Sequence, residues 1–518
     1  MNRTKHTKKN LLNRRDALKM GLTASALTTL PLQSIAKSDQ QGKRPNILFL
    51  MADQFRGDCL GADGHPVIKT PNLDRIAAEG VRFRCAYSST PSCTPARAAL
   101  LTGLSPWNHG MLGYSRVAEE YPFEKPRVMA KAGYHTMCIG KNHFHPQRNY
   151  HGYQSALLDE SGREQSVDFR SDYHSWFYSM APTLSPDSTG IGWNDYRGKP
   201  YALPEHLHPT HWTGSSAVRF LKNYNQPKPF MLKVSFARPH SPYDPPERFN
   251  KLYENADIPE AHVGEWAKRY AEPSGDNFTI WHGDKGKEQV RRSRQAYYGS
   301  ISFIDEWIGN ILDTLEQKGI LENTLIIFLS DHGDMTGDHN MWRKTYAYEP
   351  SARVPMMIRW PSSLLSAKRG QVLSQPVELR DVLPTFLDAA SITAPDHLDG
   401  KSLLQLVRGK TSDWREYIDL EHDLCYSKTN HWTGLTDGHQ KYIFHAFDGE
   451  EQLFDLDNDP HELNDLSSDP GSQATLLKWR ERMINHLSVR GDKWVKNGKL
   501  ALRPGRMLHS PNYPKTKA

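Results

Sequence analysis

Cysteine is scarce in this chain of 518 residues: Cys59, Cys85, Cys93, Cys138 and Cys425 are the full set, and no two form a C-x-x-C pair. That spacing argues against structural zinc and against a disulfide framework. Long hydrophobic runs are missing too. Hydrophobic residues make up 37% and mean hydropathy is −0.68, which excludes a polytopic membrane protein, and no integral membrane segment is expected. Aromatics at 10% exclude a disordered chain, and a chain this long can bury a large core without cross-links. Length alone allows two to four domains, or one large domain with an appendage.

Positive charge is absent where it would count. The formal net charge is +6, but residues 1–36 hold seven Lys/Arg against the single acid Asp16, which is the whole excess. The remainder is neutral, so no nucleic-acid partner is expected. Within 1–36 a basic stretch precedes the apolar Gly21–Leu30 and then Ser34-Ile35-Ala36, with small residues at −3 and −1. This order is that of a cleavable export signal. Asn13-Arg14-Arg15-Asp16 resembles the twin-arginine signal, the alternative being a general-secretory leader that happens to contain Arg-Arg. Either predicts an exported protein, periplasmic or secreted.

What is present is a run of short apolar segments that each end abruptly in polar residues. Asn46–Met51 runs into Asp53-Gln54, Thr136–Ile139 into Gly140-Lys141-Asn142-His143, Phe230–Phe236 into Arg238-Pro239-His240, and Leu325–Leu329 into Ser330-Asp331-His332-Gly333. Such runs suit strands covered on both faces, and open parallel sheets bind ligands beyond the carboxyl ends of their strands. Helices are expected over Thr70–Gly80, Cys93–Gly103 and Arg291–Lys318, so the fold class is α/β: a large, mostly parallel sheet between helices. From about 412 onward, strand-like Tyr442–Phe447 and Glu451–Asp455 and a helix over Gln473–Val489 predict a smaller α+β domain. The domain plan is therefore 1–36, 44–411 and 412–518.

Two stretches, about 152–212 and 243–286, lose periodicity and are rich in aromatics, among them Trp176, Phe177, Tyr178, Trp193, Tyr196, Tyr201 and Trp212. Either they are binding loops, whose ring faces suit sugars, or the rings pack the loops down. His206, His208 and His211 read as surface or helix-start residues, because Pro209 interrupts any helical i,i+4 metal pair. Arg56 and Arg353 lie near the motifs, with substrate contact and structural ion pairing both open.

Cys93-Thr94-Pro95-Ala96-Arg97 is the most informative segment. It places Cys93 at a helix N-terminus, where N–H groups and the dipole favour an anion, with Arg97 one turn on along the same face. Together with Gly133-Tyr134-His135-Thr136, Gly140-Lys141, Ser330-Asp331-His332-Gly333 and Leu453-Phe454-Asp455-Leu456, this segment resembles the formylglycine-dependent (type I) sulfatases of the alkaline phosphatase superfamily. The resemblance spans nearly all of the chain after the leader.

It implies a sulfuric ester hydrolase of alkaline-phosphatase-like fold. A separate maturase would oxidise Cys93 to formylglycine, whose hydrate is the nucleophile. Asp53, Gln54, Asp331 and His332, with the formylglycine oxygen at Cys93, would hold one divalent cation, calcium ahead of manganese or magnesium. Family members usually carry an acid at Gln54 and Asn at His332. Arg97 and Lys141 would offset the anionic charge, and His143 would take a proton from the hydrate. His240 would protonate the leaving alcohol, and Lys344 would bridge sulfate and leaving group. Asn142 stands where an aromatic residue is usual. Export and the aromatic inserts point to fragments of a sulfated polysaccharide as substrate. The alternative is a phosphonate monoester or phosphodiester hydrolase of the same superfamily, and a more distant one a non-catalytic carbohydrate-binding protein.

Overall fold

The computed structural model describes residues 44–163 and 166–514, so the export-signal reading of 1–36 lies outside the described residues. Among the described residues, ten strands precede residue 400: β1 (Asn46–Asp53), β2 (Val81–Phe83), β3 (Ala86–Tyr87), β4 (His135–Gly140), β5 (Ser155–Leu158), β6 (Phe230–Pro239), β7 (Thr324–Ser330), β8 (Met356–Arg359), β9 (Gln371–Leu373) and β10 (Val377–Glu378). Eight make one sheet in the order β5-β4-β6-β1-β7-β8-β2-β9. The first five in that order run parallel, and only β8 is antiparallel to both its neighbours. The sheet is mixed and mostly parallel, as expected.

The apolar runs form central strands because both of their faces find partners. In β1, Ile47, Phe49 and Met51 enter one core with Ala98, Leu101, Leu383 and Phe386, while Leu48, Leu50 and Ala52 enter the other. That second core is filled by the helix Lys287–Gln317, whose Ile301, Ile304, Ile308, Ile311 and Leu315 recur at helical spacing and are fully buried. At about 25 cal/mol per Å², burial of such side chains contributes roughly 1.5–3 kcal/mol each before entropy is subtracted.

Beyond residue 412, β11 (Ile418–His422), β12 (Trp432–Thr436), β13 (Gln440–His445) and β14 (Glu451–Asp455) form an antiparallel sheet in sequence order. One face packs Leu435, Tyr442 and Leu453 against Leu476, Trp479 and Met483 of the helix Gln473–Ser488. The other packs Leu420, Trp432 and Ile443 against Met341, Tyr346 and Tyr348, and thereby braces the loop that carries Lys344.

The insert 152–212 is more regular than its sequence suggests. It supplies the edge strand β5 and a helix, Asp172–Met180, whose Ser171 side chain accepts from the His174 N–H. Tyr173, Phe177, Tyr201, Leu207 and Trp212 form a separate small core, and Tyr196 stacks on Trp342 at 4.0 Å. For most of these rings, packing explains the aromatic content. His208 is the N-cap of Pro209–Asn223, accepting from Thr210 N–H, but it is buried and not on the surface.

Candidate active site

The adjacent parallel strands β4, β6, β1 and β7 end at one edge, and each is followed at once by a polar residue: Lys141, His240, Gln54 and Asp331. Two local features sharpen the edge. Register shifts between Ala52 and Asp53 opposite β6, so that His240 N–H donates to the Asp53 carbonyl at 3.0 Å. Gly140 has φ 96°, and a Cβ there would come within 2.0 Å of the Ser235 carbonyl oxygen. Only glycine lets the chain turn here and deliver Lys141 to the edge.

Cys93 is the first residue of the helix Cys93–Thr102, behind an extended Ser92 whose hydroxyl meets His422 Nε2 at 2.9 Å. Ligand atoms of Asp53, Cys93, Asp331 and His332 all lie within 4.8 Å of one another, and all four residues are buried. The carboxylates divide their oxygens. Arg97 takes the Oδ2 side, reaching Asp331 Oδ2 from Nε at 3.0 Å and Asp53 Oδ2 from NH2 at 3.2 Å, while Lys141 Nζ pairs with the same Asp53 oxygen. Asp53 Oδ1 and Asp331 Oδ1 instead lie 3.7 and 3.8 Å from His332 Nε2, and Cys93 Sγ lies 3.2 Å from that nitrogen.

His332 Nδ1–H donates to the Gly333 carbonyl at 2.9 Å, which turns Nε2 toward the cluster. Two hard carboxylate oxygens, an imidazole nitrogen and the Cys93 position therefore converge, and the donor set fits one divalent cation. Gln54, at φ 68°, stands at the same edge with its amide engaged at both ends: Lys344 Nζ donates to its Oε1 at 2.6 Å and its Nε2 donates to Asp334.

Charges set the protonation states. Burial pushes the Asp53 carboxyl up, but Lys141 and Arg97 outweigh it and hold the group well below the usual carboxylate range. Burial and Asp53 raise the Cys93 thiol, while Lys344, Lys141 and His332 bring it below its ordinary value. His240 is driven well below an ordinary imidazole by burial and then by Lys344, whose Nζ sits 2.7 Å from His240 Nε2. With Nδ1–H donating to the Ser241 carbonyl, Nε2 accepts from Lys344, so the proton on that line is the lysine's. His143, at φ 60°, is likewise held low, by burial and then Lys141, and its Nε2 meets Tyr114 Oη at 3.3 Å.

Every residue singled out from the motifs thus lies at this edge, except that Arg56 and Arg353 prove structural. Arg56 pairs with Asp58 and Asp338, and Arg353 with Asp63 and Glu349. The motifs did not disclose Glu160, whose Oε1 accepts the N–H groups of Asn142 and His143 at 3.0 and 2.9 Å. Nor did they single out Tyr114, Asp334, or Trp193 within its insert. Trp193 stacks on His240 at 4.1 Å and 19°, with Lys141 Nζ 4.9 Å from its ring centroid. Asp334 closes the same strand-end segment as Asp331, and Glu160 follows the edge strand β5 by two residues, whereas Tyr114 and Trp193 meet the site only through folding of distant loops.

The model of the family described as Sulfatase matches residues 45–392, and that of the N-sulphoglucosamine sulphohydrolase C-terminal region matches 337–488. The chain belongs to the sulfatase family. It is a sulfuric ester hydrolase, similar to an arylsulfatase of Clostridium perfringens (strain 13 / Type A), 40% identical over 470 residues, 88% of this chain and 97% of that one. It is also similar to an N-acetylglucosamine-6-O-sulfatase of Bacteroides thetaiotaomicron, 28% identical over 486 residues, 85% and 86% of the two chains. Among solved structures, the phosphonate monoester hydrolase of Agrobacterium radiobacter superposes with TM-score 0.72 at 27% identity, covering 86% of this chain and 96% of that one. No helix among the described residues is long and apolar enough to cross a membrane.

Proposed function

We propose that this sulfatase hydrolyses sulfate esters of sugars derived from sulfated polysaccharides, with Cys93 converted to formylglycine and one divalent cation, calcium by preference. The reading rests on one observation above all: Cys93 opens a helix inside a quartet of cation ligands whose Oδ1 oxygens are left to it by Arg97 and Lys141. Asp53, Asp331, His332 and the oxygen at position 93 would hold the cation, with Gln54 alongside. The cation supplies Lewis-acid stabilisation of charge on the transferring sulfuryl group, and the formylglycine hydrate supplies the attacking oxygen.

The side chains of this chain do the rest. Lys141 and Lys344 bind sulfate oxygens and offset repulsion between two anions. His143 takes the proton of the hydrate's second hydroxyl, which its low affinity for a proton at rest leaves it free to do. His240 rests neutral with Nε2 accepting from Lys344, so the proton for the departing oxygen originates on the Lys344 ammonium and is relayed through His240 Nε2. Residues 1–36 would direct export to the periplasm or medium, and a maturase is the expected protein partner.

The test is a mass spectrum of the tryptic peptide Cys85–Arg97 from protein made beside a maturase, followed by turnover of aryl, sugar and alkylammonium sulfate esters. Conversion of Cys93 with turnover of sugar esters supports the reading. A persistent thiol despite a competent maturase sinks the formylglycine step. A second reading, phosphonate monoester or phosphodiester hydrolysis, is favoured by the Agrobacterium structure and by Gln54 and His332 in place of the usual acid and Asn. A higher kcat/KM on phenyl phosphonate esters than on phenyl sulfate would select it.

A further inference from the structure

The helix Cys93–Thr102 begins without the cap that its sequence offers. Ser92 stands at the N-cap with extended backbone, φ −152° and ψ 157°, and serine is among the strongest N-cap residues, yet its side chain accepts no N–H of the first turn. The third helical position is Pro95, which has no N–H, so Thr94 N–H is what remains for the Ser92 hydroxyl to cap.

That hydroxyl is drawn elsewhere. It meets Nε2 of His422 at 2.9 Å, and His422, the last residue of β11, is fully buried. Nδ1 of the same ring faces the Asp423 carbonyl at 2.6 Å and so carries the hydrogen. Burial brings the pKa of His422 down to about 4, which leaves the ring neutral and Nε2 an acceptor. Ser92 is therefore the donor, and its side chain is fixed toward the C-terminal sheet. The backbone beside it is held as well: Glu421 N–H donates to the Ser89 carbonyl at 2.8 Å, and Thr345 N–H, next to Lys344, to the Pro91 carbonyl at 2.9 Å.

The consequence falls on the first turn. Ala96 N–H is met by the Ser92 carbonyl at 3.2 Å, but among the described residues nothing accepts the N–H of Cys93 or of Thr94. Thr94 Oγ1, on a residue 3% exposed, has no hydrogen-bond partner either. Buried donors left open are costly, and an anion at a helix N-terminus satisfies them. We infer that His422 is a positioning residue: by drawing the Ser92 hydroxyl to the C-terminal sheet it keeps the Cys93 helix uncapped, and so leaves the N–H groups of Cys93 and Thr94 to the anionic oxygens that gather at position 93. The inference rests on the sulfate-ester reading above and deepens it, because it gives the small C-terminal domain a part in the chemistry.

Ser92→Ala, His422→Phe and the double variant test it, as full-length, maturase-treated proteins assayed on phenyl sulfate. His422→Phe returns the Ser92 hydroxyl to Thr94 N–H and is expected to lower kcat/KM at least tenfold, mostly in kcat, as loss of one donor to a developing anion does. Ser92→Ala has no hydroxyl to return and should stay within about threefold of wild type. The double variant should recover to the Ser92→Ala value. Ser92→Asn, a strong neutral cap whose amide can still donate to His422, should lose the same tenfold with His422 in place, so the test does not hang on the folding of a His422 variant. A double variant as poor as His422→Phe, a tenfold loss in Ser92→Ala, or full turnover in Ser92→Asn overturns the inference. Binding of inorganic sulfate to the unconverted proteins is measured beside turnover by calorimetry. If the wild type hydrolyses no ester yet binds sulfate, with affinities in the same order across the variants, the hydrolytic reading fails and the role of His422 stands. No turnover and no sulfate binding in the wild type overturn both.

Discussion

Arg97 and Lys141 occupy only the Oδ2 oxygens of Asp53 and Asp331, and both Oδ1 oxygens are left within 3.8 Å of His332 Nε2. The side chains of Arg97, Lys141 and both carboxylates are at most 1% exposed, so these charges have been taken out of water and are worth having only together. Removing one partner leaves the other buried and uncompensated. Arg97→Ala is expected to cost about 3–5 kcal/mol of stability, and Arg97→Lys less, because a positive charge remains, although a lysine point charge cannot span two carboxylates. Urea unfolding of both variants without added metal checks the order. An alanine variant as stable as wild type would refute the shared clamp.

The Glu160 contact gives a second expectation. A carboxylate accepting two backbone N–H groups fixes the turn 141–143, and with it the directions of Lys141 and His143. Glu160→Gln keeps the shape and one acceptor oxygen but weakens charge-assisted bonds. Turnover is expected to fall about tenfold, with KM changed less than twofold and the circular dichroism spectrum intact. Glu160→Asp, one carbon shorter, should be worse than Gln. The reverse order would mean that charge alone, and not placement of the turn, is what Glu160 supplies.

Much of this edge was legible from sequence because the physics there is local. Runs such as Leu325–Leu329 are apolar on both sides and so declare central strands, and polar residues at their ends declare a ligand edge. Helix Cys93–Thr102 announced both ends, with Gly103 at φ 71° as its stop. The helix Asp172–Met180 was hidden, since its apolar face is only Tyr173 and Phe177 and its N-cap Ser171 sits in a polar stretch. The strands Ile418–His422 and Trp432–Thr436 were hidden for another reason: polar and apolar residues mix in them, and burial on both sides comes from the Lys344 loop and the C-terminal helix. Trp193 reaches the site across a long loop and Glu160 from the end of the edge strand Ser155–Leu158, and no window of sequence carries either contact.

Lys233 makes a pH test away from the cation ligands. It is buried in β6, donates to Asn142 Oδ1 at 2.9 Å, and burial and then Arg97 bring its pKa down to about 7. Between that value and the unfolded value near 10.4, the unfolded chain holds more protons than the folded one. The stability contributed by this group therefore rises as pH rises from 7 toward 10, and it is lowest below 7. In Lys233→Met that slope disappears. The stability of wild type relative to Lys233→Met should improve steadily from pH 6.5 to 9 in urea titrations. A difference independent of pH would mean Lys233 stays charged when folded.

Removal of the cation tests the quartet without reference to turnover. Protein folded with the cation bound gains RT ln(1 + [L]/Kd), about 2.7 kcal/mol at a hundredfold excess over Kd. At roughly 1 °C per kcal/mol for a chain of this size, that is a rise of about 3 °C in the thermal midpoint. Chelation should reverse it, and calcium should restore it at lower concentration than magnesium, which demands a near-ideal octahedron that a Cys–His–Asp–Asp arrangement does not supply. Asp331→Asn should lose most of the calcium-dependent rise while its metal-free midpoint changes less, because Arg97 keeps Asp53 as partner. If chelation and calcium leave the midpoint where it was, the convergence of Asp53, Asp331 and His332 serves the ion pairs alone.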